Sequence, residues 1–346
     1  MTQVTVIVPC FNERATIGQL LQAITEQVFP SGRIEVIIAD GMSTDGTRRI
    51  VTDFSATHPK LELKLLDNPD RTIPTGLNRA IQESGGEVIV RFDAHSVPAS
   101  NYIERCINTL DRTGAANVGG LWEIRASVNT WVGRSIAAAA GHPLGAGGAR
   151  YRTGGSEGEV ETVPFGAFDR EWLERVGPFN EDLLTNEDYE FNLRLRQAGG
   201  VIWFDPSIRS TYFARGTLRE LARQYFRYGY WKGQMLKRYP TSLRWRQALP
   251  PLFVLVLALL LVLAPFAEWA RNLLLLQMGI YIATTVAAGL LRAVRLRDLS
   301  LALGMPLALW TMHLSWGIAF WAGLGAGLFR LRPENPEPEA SRSGDV

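Results

Sequence analysis

Two aspartates close short, strongly apolar runs: Asp40 ends IEVIIAD at 34–40 and Asp93 ends VIVRFD at 88–93. Open sheets with helices on their faces bind ligands outside the carboxyl ends of their strands. A carboxylate there can accept hydrogen bonds from a nucleobase or ribose, or coordinate a cation. Acids in such places also serve as helix caps, so neither position alone specifies a site. Two within one run of strand–helix units point to an anionic, metal-bound ligand. Pro9-Cys10-Phe11-Asn12 stands where a dinucleotide-binding loop would need Gly-x-Gly-x-x-Gly, which argues against a dinucleotide-dependent oxidoreductase.

The elements that must hold these acids are legible as an α/β pattern. Val4–Pro9, Ile34–Asp40 and Val88–Asp93 are short apolar runs, as strands buried on both faces require, and Leu61–Leu66 is a weaker alternating strand. Ile17, Leu20, Leu21, Ile24 and Val28 recur with helical spacing between them, and Ser43, Thr44 and Asp45 are N-cap residues for a second helix starting near Asp45. This alternation predicts a mostly parallel, Rossmann-like sheet covered by helices. There is no internal repeat. Residues 141–158 hold seven glycines and read as a long functional or disordered loop, and the Pro-, Glu- and Ser-rich tail over 331–346 as disordered.

Composition adds a membrane. The 346-residue chain carries a formal charge of +2, which indicates no polyanion-binding protein. Its two cysteines are too few for a disulfide scaffold and fit a reducing compartment. Residues 2–8 (TQVTVIV) have neither the basic start nor the apolar length of a signal peptide. Uncharged stretches of 21, 20 and 31 residues occupy 247–267, 272–291 and 299–329. At about 1.5 Å per helical residue, the first two each span roughly 30 Å, the thickness of a bilayer core. Residues 217–246 interleave eight basic residues with seven aromatic ones, the character of helices lying at the headgroup level. Arg238, Arg244 and Arg246 precede the first span, and Arg292, Arg295 and Arg297 lie between the second and third. The positive-inside rule then puts residues 1–246 in the cytoplasm, at a cell membrane crossed several times. The third stretch reads as one tilted span or a broken hairpin, since one span would leave Arg330 and Arg332 outside. The expected division is a catalytic domain over 1–215, interfacial helices over 216–248, three or four spans over 249–330, and the tail.

Ordered blocks carry a more specific signal. VIVPCFNE (6–13), ADGMSTDGT (39–47), PTGLNRAI (74–81) and RFDAHS (91–96) resemble the front half of a family 2 glycosyltransferase of GT-A fold. The run over 162–200 and RQYFRYGYWKG (223–233) are similar to the succinoglycan-biosynthesis branch of that family. The resemblance implies that Pro9, Asn12, Glu13, Asn78 and Asp93 line the nucleotide-sugar pocket, and that Asp40 contacts the base, usually uracil. Asp93-Ala94-His95 occupies the place of the Asp-x-Asp metal motif, with histidine in its third position. Asp93 could bridge to a divalent cation that clamps both phosphates. Imidazole suits Mn²⁺ better than Mg²⁺, so Asp93 and His95 as ligands favour Mn²⁺. The resemblance makes Asp188 the general base, with Glu187 beside it binding acceptor or holding the loop. Gln224 and Arg227, three apart and so on one helix face, match the Gln-x-x-Arg-Trp motif. Arg227 would meet the diphosphate, and Tyr228, in place of the tryptophan, would stack at the acceptor.

The expected protein is thus a membrane-anchored, metal-dependent, inverting hexosyltransferase. It would use a UDP-sugar and a polyprenyl-diphosphate-linked saccharide acceptor in exopolysaccharide assembly, with no nucleic-acid partner. A processive polysaccharide synthase is the enzymatic alternative, although three or four spans are few for a pore and Tyr228 departs from the synthase motif. A silent membrane scaffold subunit is the non-enzymatic alternative, against which the set Asp40, Asp93, Asp188 and Arg227 speaks.

Overall fold

A computed structural model describes residues 2–29 and 32–327. Arg330, Arg332 and the tail expected to be disordered lie outside the described residues. The described residues divide into two compact units, one of residues 2–29, 32–123 and 154–212, the other of 124–153 and 213–327.

The first unit is built on a sheet. In chain order its elements are β1 (Thr2–Cys10), α1 (Ile17–Thr25), β2 (Gly32–Asp40), α2 (Thr47–Thr57), β3 (Glu62–Asp67), α3 (Ile73–Gln82), β4 (Val88–Arg91), β5 (Val97–Pro98), α4 (Tyr102–Thr113) and β6 (Asn117–Ala126). After a stretch belonging to the second unit, α5 (Trp131–Ala140), α6 (Pro143–Ala146) and α7 (Arg150–Thr153), come β7 (Gly158–Glu159), β8 (Ala167–Asp169), α8 (Arg170–Val176), α9 (Glu187–Gln197) and β9 (Ile202–Ala214). The strand order is β3-β2-β1-β4-β8-β6-β9-β5, with β7 also paired to β9. The expected parallel sheet holds through β3, β2, β1 and β4, whereas β8 joins β4 antiparallel, so the whole is mixed. Parallel register sets Cys10 beside Asp40 and Asp40 beside Asp67, while Ile7 faces Arg91. The carboxyl ends of β1, β2 and β4 therefore share one edge. Val6, Ile38 and Val90 in the strands and Leu20, Leu21 and Ile24 on α1 form the core beneath it. Such burial contributes about 1.5–3 kcal/mol per large apolar side chain.

The second unit is helical. It comprises α5 to α7, then α10 (Leu218–Arg238), α11 (Trp245–Leu263), α12 (Glu268–Leu296) and α13 (Leu301–Gly325). The last three are long and apolar enough to cross a membrane. The most apolar window of α13 is 44% buried within the protein, against 11% and 17% for α11 and α12, so α13 is the packed centre of this unit. The stretch 301–325 is one helix despite Pro306.

Two expectations change here. First, α10 is more than a surface-lying helix. A Cβ on Gly229 would lie 2.3 Å from the Trp316 carbonyl oxygen and one on Gly233 2.4 Å from that of Phe320, so α10 packs backbone-close on α13. Second, residues 124–153, expected inside the catalytic domain, belong to the helical unit. The small face of α5 allows this: a Cβ on Gly304 of α13 would meet the Ser135 hydroxyl, and Arg134 pairs with Asp298 at 2.7 Å. The glycine-rich stretch 141–158 is likewise ordered into α6 and α7. Gly147, Gly148, Gly154, Gly155 and Gly158 supply the positive φ of its turns.

Candidate active site

The site is assembled where the parallel strands end. After β1 the chain turns at Asn12, whose φ is 54°, and after β2 at Met42, whose φ is 63°. The two turns are stitched together: Ser43 Oγ accepts from the Asn12 N–H at 2.8 Å and Asn12 Oδ1 accepts from the Thr44 N–H at 2.9 Å. Thr47 Oγ1 accepts from the Glu13 N–H at 2.9 Å, so the segment after Pro9 is rigidly held. Left-handed backbone at non-glycine residues costs about 1–3 kcal/mol each and gathers at functional sites.

Asp40 is fully buried. Its Oδ2 accepts from the Ser43 N–H at 2.9 Å and from Arg48 at 2.7 Å, and Arg48 also pairs with Asp67 at the end of β3. Oδ1 of Asp40 is buried without a hydrogen-bond partner. A buried acceptor left unmet costs about 1–3 kcal/mol, and a ligand N–H is one way to meet it. Burial pushes the Cys10 thiol far up, and the Glu13, Asp40 and Asp45 carboxylates add to the shift. Cys10 is therefore a packed thiol and no nucleophile, and neither cysteine forms a disulfide.

Farther along the same edge, His95 Nδ1 lies 3.1 Å from Glu13 Oε1, and Thr16 Oγ1 donates to Glu13 Oε2 at 2.6 Å. Glu13 thus orients the imidazole and directs any metal ligation to Nε2. Asp93 is held by Arg91, whose Nη2 lies 3.1 Å from Asp93 Oδ1 and 2.9 Å from Glu187 Oε1. Glu187 opens α9 behind Asn186, whose φ of 66° turns the chain into the helix. Asp188 follows it, half-buried, with Oδ1 accepting from the Tyr189 N–H at 2.7 Å.

Charge in this cluster is unbalanced. Burial alone would weaken protonation of Arg91, but Asp93, Glu187 and Asp188 together hold it firmly charged. Glu187 departs from simple ion-pair behaviour: burial raises its carboxyl to about 7, Arg91 pulls it down, and neighbouring Asp188 pushes it up. The Arg91 shift follows from three carboxylates around one guanidinium, whereas that of Glu187 follows first from burial. Fully ionised, such a group is negative, which suits a divalent cation nearby. Among the described residues no three or more His, Cys, Asp and Glu side chains form a metal cage. Asp93 and His95 are the donors on this turn that could hold a cation shared with substrate phosphates.

Several expected roles are revised. Asn78 is buried, and its carboxamide is spent on the Phe179 backbone and on Glu181, so it braces the segment before α9 instead of facing a nucleotide. Glu187 is engaged by Arg91 with its side chain 7% exposed, which agrees with the loop-holding one of its two expected roles. Gln224, Arg227 and Tyr228 sit on α10 in the other unit. Gln224 is buried and donates to Tyr228 Oη at 3.0 Å, while Arg227 is exposed, so Gln224 aligns with Tyr228 and not with Arg227. Arg48 and Arg91 join the cluster without a role that the sequence motifs assign them. The detectable signal for Arg91 was a cation at the end of an otherwise apolar strand.

The glycosyl transferase family 2 model matches residues 5–177. The succinoglycan biosynthesis protein ExoA of Rhizobium meliloti (strain 1021) is 31% identical over 325 residues, covering 93% of this chain and 95% of that protein. A Methanococcus voltae enzyme named dolichyl N-acetyl-alpha-D-glucosaminyl phosphate 3-beta-D-2,3-diacetamido-2,3-dideoxy-beta-D-glucuronosyltransferase is 26% identical, covering 94% of this chain and 98% of its own. Among solved structures, the mannosyltransferase PcManGT of Pyrobaculum calidifontis, in complex with GDP-Man and Mn²⁺, superposes with a TM-score of 0.61 at 23% identity, covering 96% of this chain and 88% of that one. A sheet whose parallel strands end in acids, a turn bearing Asp93 and His95, and a family match through Gly177 lead to one assignment: the chain belongs to glycosyl transferase family 2, as an enzyme of glycan synthesis with the GT-A fold.

Proposed function

We propose that the enzyme transfers a hexose from a UDP-sugar, with inversion, to a saccharide carried on a polyprenyl diphosphate at the cytoplasmic face of a cell membrane. The observation that supports this reading is that Asp40 closes β2 with an unmet acceptor, while β4, on the other side of β1, ends at Arg91, whose guanidinium feels the charge of both Asp93 and Asp188. Asp40 Oδ1 matches the imide N–H of uracil, which hydrogen-bonds while the ring stacks over the Pro9–Asn12 turn. Asp93, with His95 oriented by Glu13, would hold a divalent cation, Mn²⁺ before Mg²⁺. Such a cation supplies charge neutralisation to the departing diphosphate.

Asp188 performs the proton transfer. The acceptor hydroxyl oxygen attacks the anomeric carbon, the bond from that carbon to the diphosphate oxygen breaks, and its electron pair leaves with the nucleoside diphosphate. Asp188 takes the hydroxyl proton as the new glycosidic bond forms, a role that contributes about 10²–10⁴ in rate. One carboxylate suffices for this single displacement, unlike glycoside hydrolysis, which needs two flanking the bond. Three apolar helices in the same chain suit an acceptor that is itself lipid-bound.

Asp188→Asn is the direct test, on protein in detergent or nanodiscs with membrane lipid extract, Mn²⁺ and a panel of UDP- and GDP-sugars. The wild type is expected to add one residue from a UDP-hexose. The variant should bind UDP and Mn²⁺ normally while turnover falls at least roughly a hundredfold. Normal turnover would remove Asp188 as base, and selective use of GDP-sugars would remove uracil as the Asp40 ligand. A ladder of products would favour the processive alternative.

A further inference from the structure

We infer that Arg91 is a positioning residue of the transfer reaction, whose buried guanidinium fixes the donor-side carboxylate Asp93 relative to the base-bearing turn of α9. The inference rests on the roles given above to Asp93 and Asp188, and it adds the part that sets their separation.

Arg91 ends a strand, Val88–Arg91, in which every residue is buried, and its side chain is 6% exposed. Stability does not account for a guanidinium there. Taking an ion out of water costs several kcal/mol, and buried ion pairs can often be replaced by apolar residues of similar volume without loss. The arrangement is also incompletely satisfied, since Nε and Nη1 of Arg91 are buried with no hydrogen-bond partner. What Arg91 does accomplish is a junction. One nitrogen, Nη2, reaches two carboxylates, that of Asp93 just after β4 and that of Glu187, 96 residues from Arg91 at the start of α9.

Both ends of the junction are otherwise fixed by backbone bonds, so the guanidinium transmits position. The Arg91 N–H donates to the Gly166 carbonyl at 3.0 Å, and the Phe92 N–H to that of Ile7 at 3.0 Å. The Asp93 carbonyl accepts from the Ser96 N–H and hydroxyl at 2.9 and 2.7 Å. On the other side Glu187 is the first helical residue and Asp188 the second, so holding Glu187 holds the backbone of the base. Arg91 also places one positive charge among three carboxylates that would otherwise repel each other apart. Lysine would supply the charge, but on a flexible stem and without the planar guanidinium whose Nη2 meets both carboxylates.

The test uses the full-length protein in detergent, with Arg91→Lys, Glu187→Gln and the double variant, and Asp93→Asn and Asp188→Asn alongside. Turnover at saturating donor and acceptor is set against UDP and Mn²⁺ binding by calorimetry. Arg91→Lys is expected to bind UDP with Mn²⁺ within about threefold of wild type while kcat falls on the order of a hundredfold, as for a misplacement of about 1 Å. Glu187→Gln should show the same split. The double variant should lose little more, because both residues act through one contact. An unchanged kcat in Arg91→Lys overturns the inference, as do losses that multiply in the double variant or a kcat loss matched by lost UDP binding. Should Arg91→Lys fail to fold, Glu187→Gln alone decides, and a normal kcat there overturns it. Failure of the underlying reading shows differently: Asp188→Asn with normal turnover, or Asp93→Asn with normal Mn²⁺-dependent UDP binding, whatever Arg91→Lys does.

Discussion

Asn78 and Phe179, 101 residues apart, form a closed pair: the Asn78 carboxamide donates to the Phe179 carbonyl at 3.0 Å and accepts from the Phe179 N–H at 2.8 Å. Both residues are buried, so the side chain of α3 completes the backbone hydrogen bonding of the segment that leads into α9. Asn78→Ala removes both bonds and strands two backbone groups, which should lower stability by about 2–3 kcal/mol. Because the braced segment delivers Asp188, turnover should fall while UDP affinity stays close to wild type. Thermal unfolding together with UDP calorimetry checks this. Weakened UDP binding with unchanged stability would restore Asn78 to the nucleotide pocket.

What the sequence disclosed, and what it hid, divides by range of interaction. The strands ending at Asp40 and near Asp93 announce themselves as apolar runs because burial on both faces acts residue by residue. The partnership of Asn78 with Phe179 and that of Arg91 with Glu187 depend on chain segments meeting after about a hundred residues, which no local pattern encodes. Glu187 reads from sequence as one of two acids at a helix start, and only its contact with Arg91 separates it from Asp188. Residues 131–140 fall within the expected catalytic domain; their small side chains acquire meaning only once α13 lies against them.

The raised carboxyl of Glu187 gives stability a pH dependence. The folded state holds this proton to about pH 7, whereas an unfolded glutamate releases it near the ordinary value of 4.5. Between those values the native state binds more protons, so stability falls as pH rises. The contribution is fully present below about 4.5 and is lost through about 7. Glu187→Gln cannot ionise, so its unfolding midpoint relative to wild type should improve from pH 5 to pH 8. A difference constant across that range would show that Glu187 ionises as an ordinary glutamate.

Close approach of α10 and α13 makes Gly323 intolerant of a side chain. A Cβ there would lie 2.0 Å from the Tyr230 carbonyl oxygen and 2.8 Å from its carbonyl carbon, both backbone atoms that cannot rotate away. Gly323→Ala must separate the helices, at a cost of about 1–3 kcal/mol. Gly279 on α12 has nothing within 4 Å of the same position, so Gly279→Ala should be neutral, or stabilising by up to about 1 kcal/mol through helix propensity. Thermal unfolding of the two variants in one detergent provides the comparison. Equal midpoints would mean that the α10–α13 contact is loose.

The pairing of His95 with Glu13 at 3.1 Å makes the identity of the cation testable through a single side chain. A neutral imidazole with Nδ1–H directed at a carboxylate presents Nε2, a donor that Mn²⁺ accepts more readily than Mg²⁺. His95→Asp substitutes a hard oxygen ligand and removes the partner of Glu13. The ratio of Mn²⁺- to Mg²⁺-supported transfer should fall about tenfold, as expected for a change of about 1.4 kcal/mol in relative metal affinity. Mn²⁺ affinity of the UDP complex, read by electron paramagnetic resonance, should weaken in parallel. Glu13→Gln should move the same signal in the same direction by less, since glutamine can still accept the imidazole N–H but without charge. If neither substitution changes the metal ratio, Asp93 and the diphosphate hold the cation alone and His95 serves only to orient the turn.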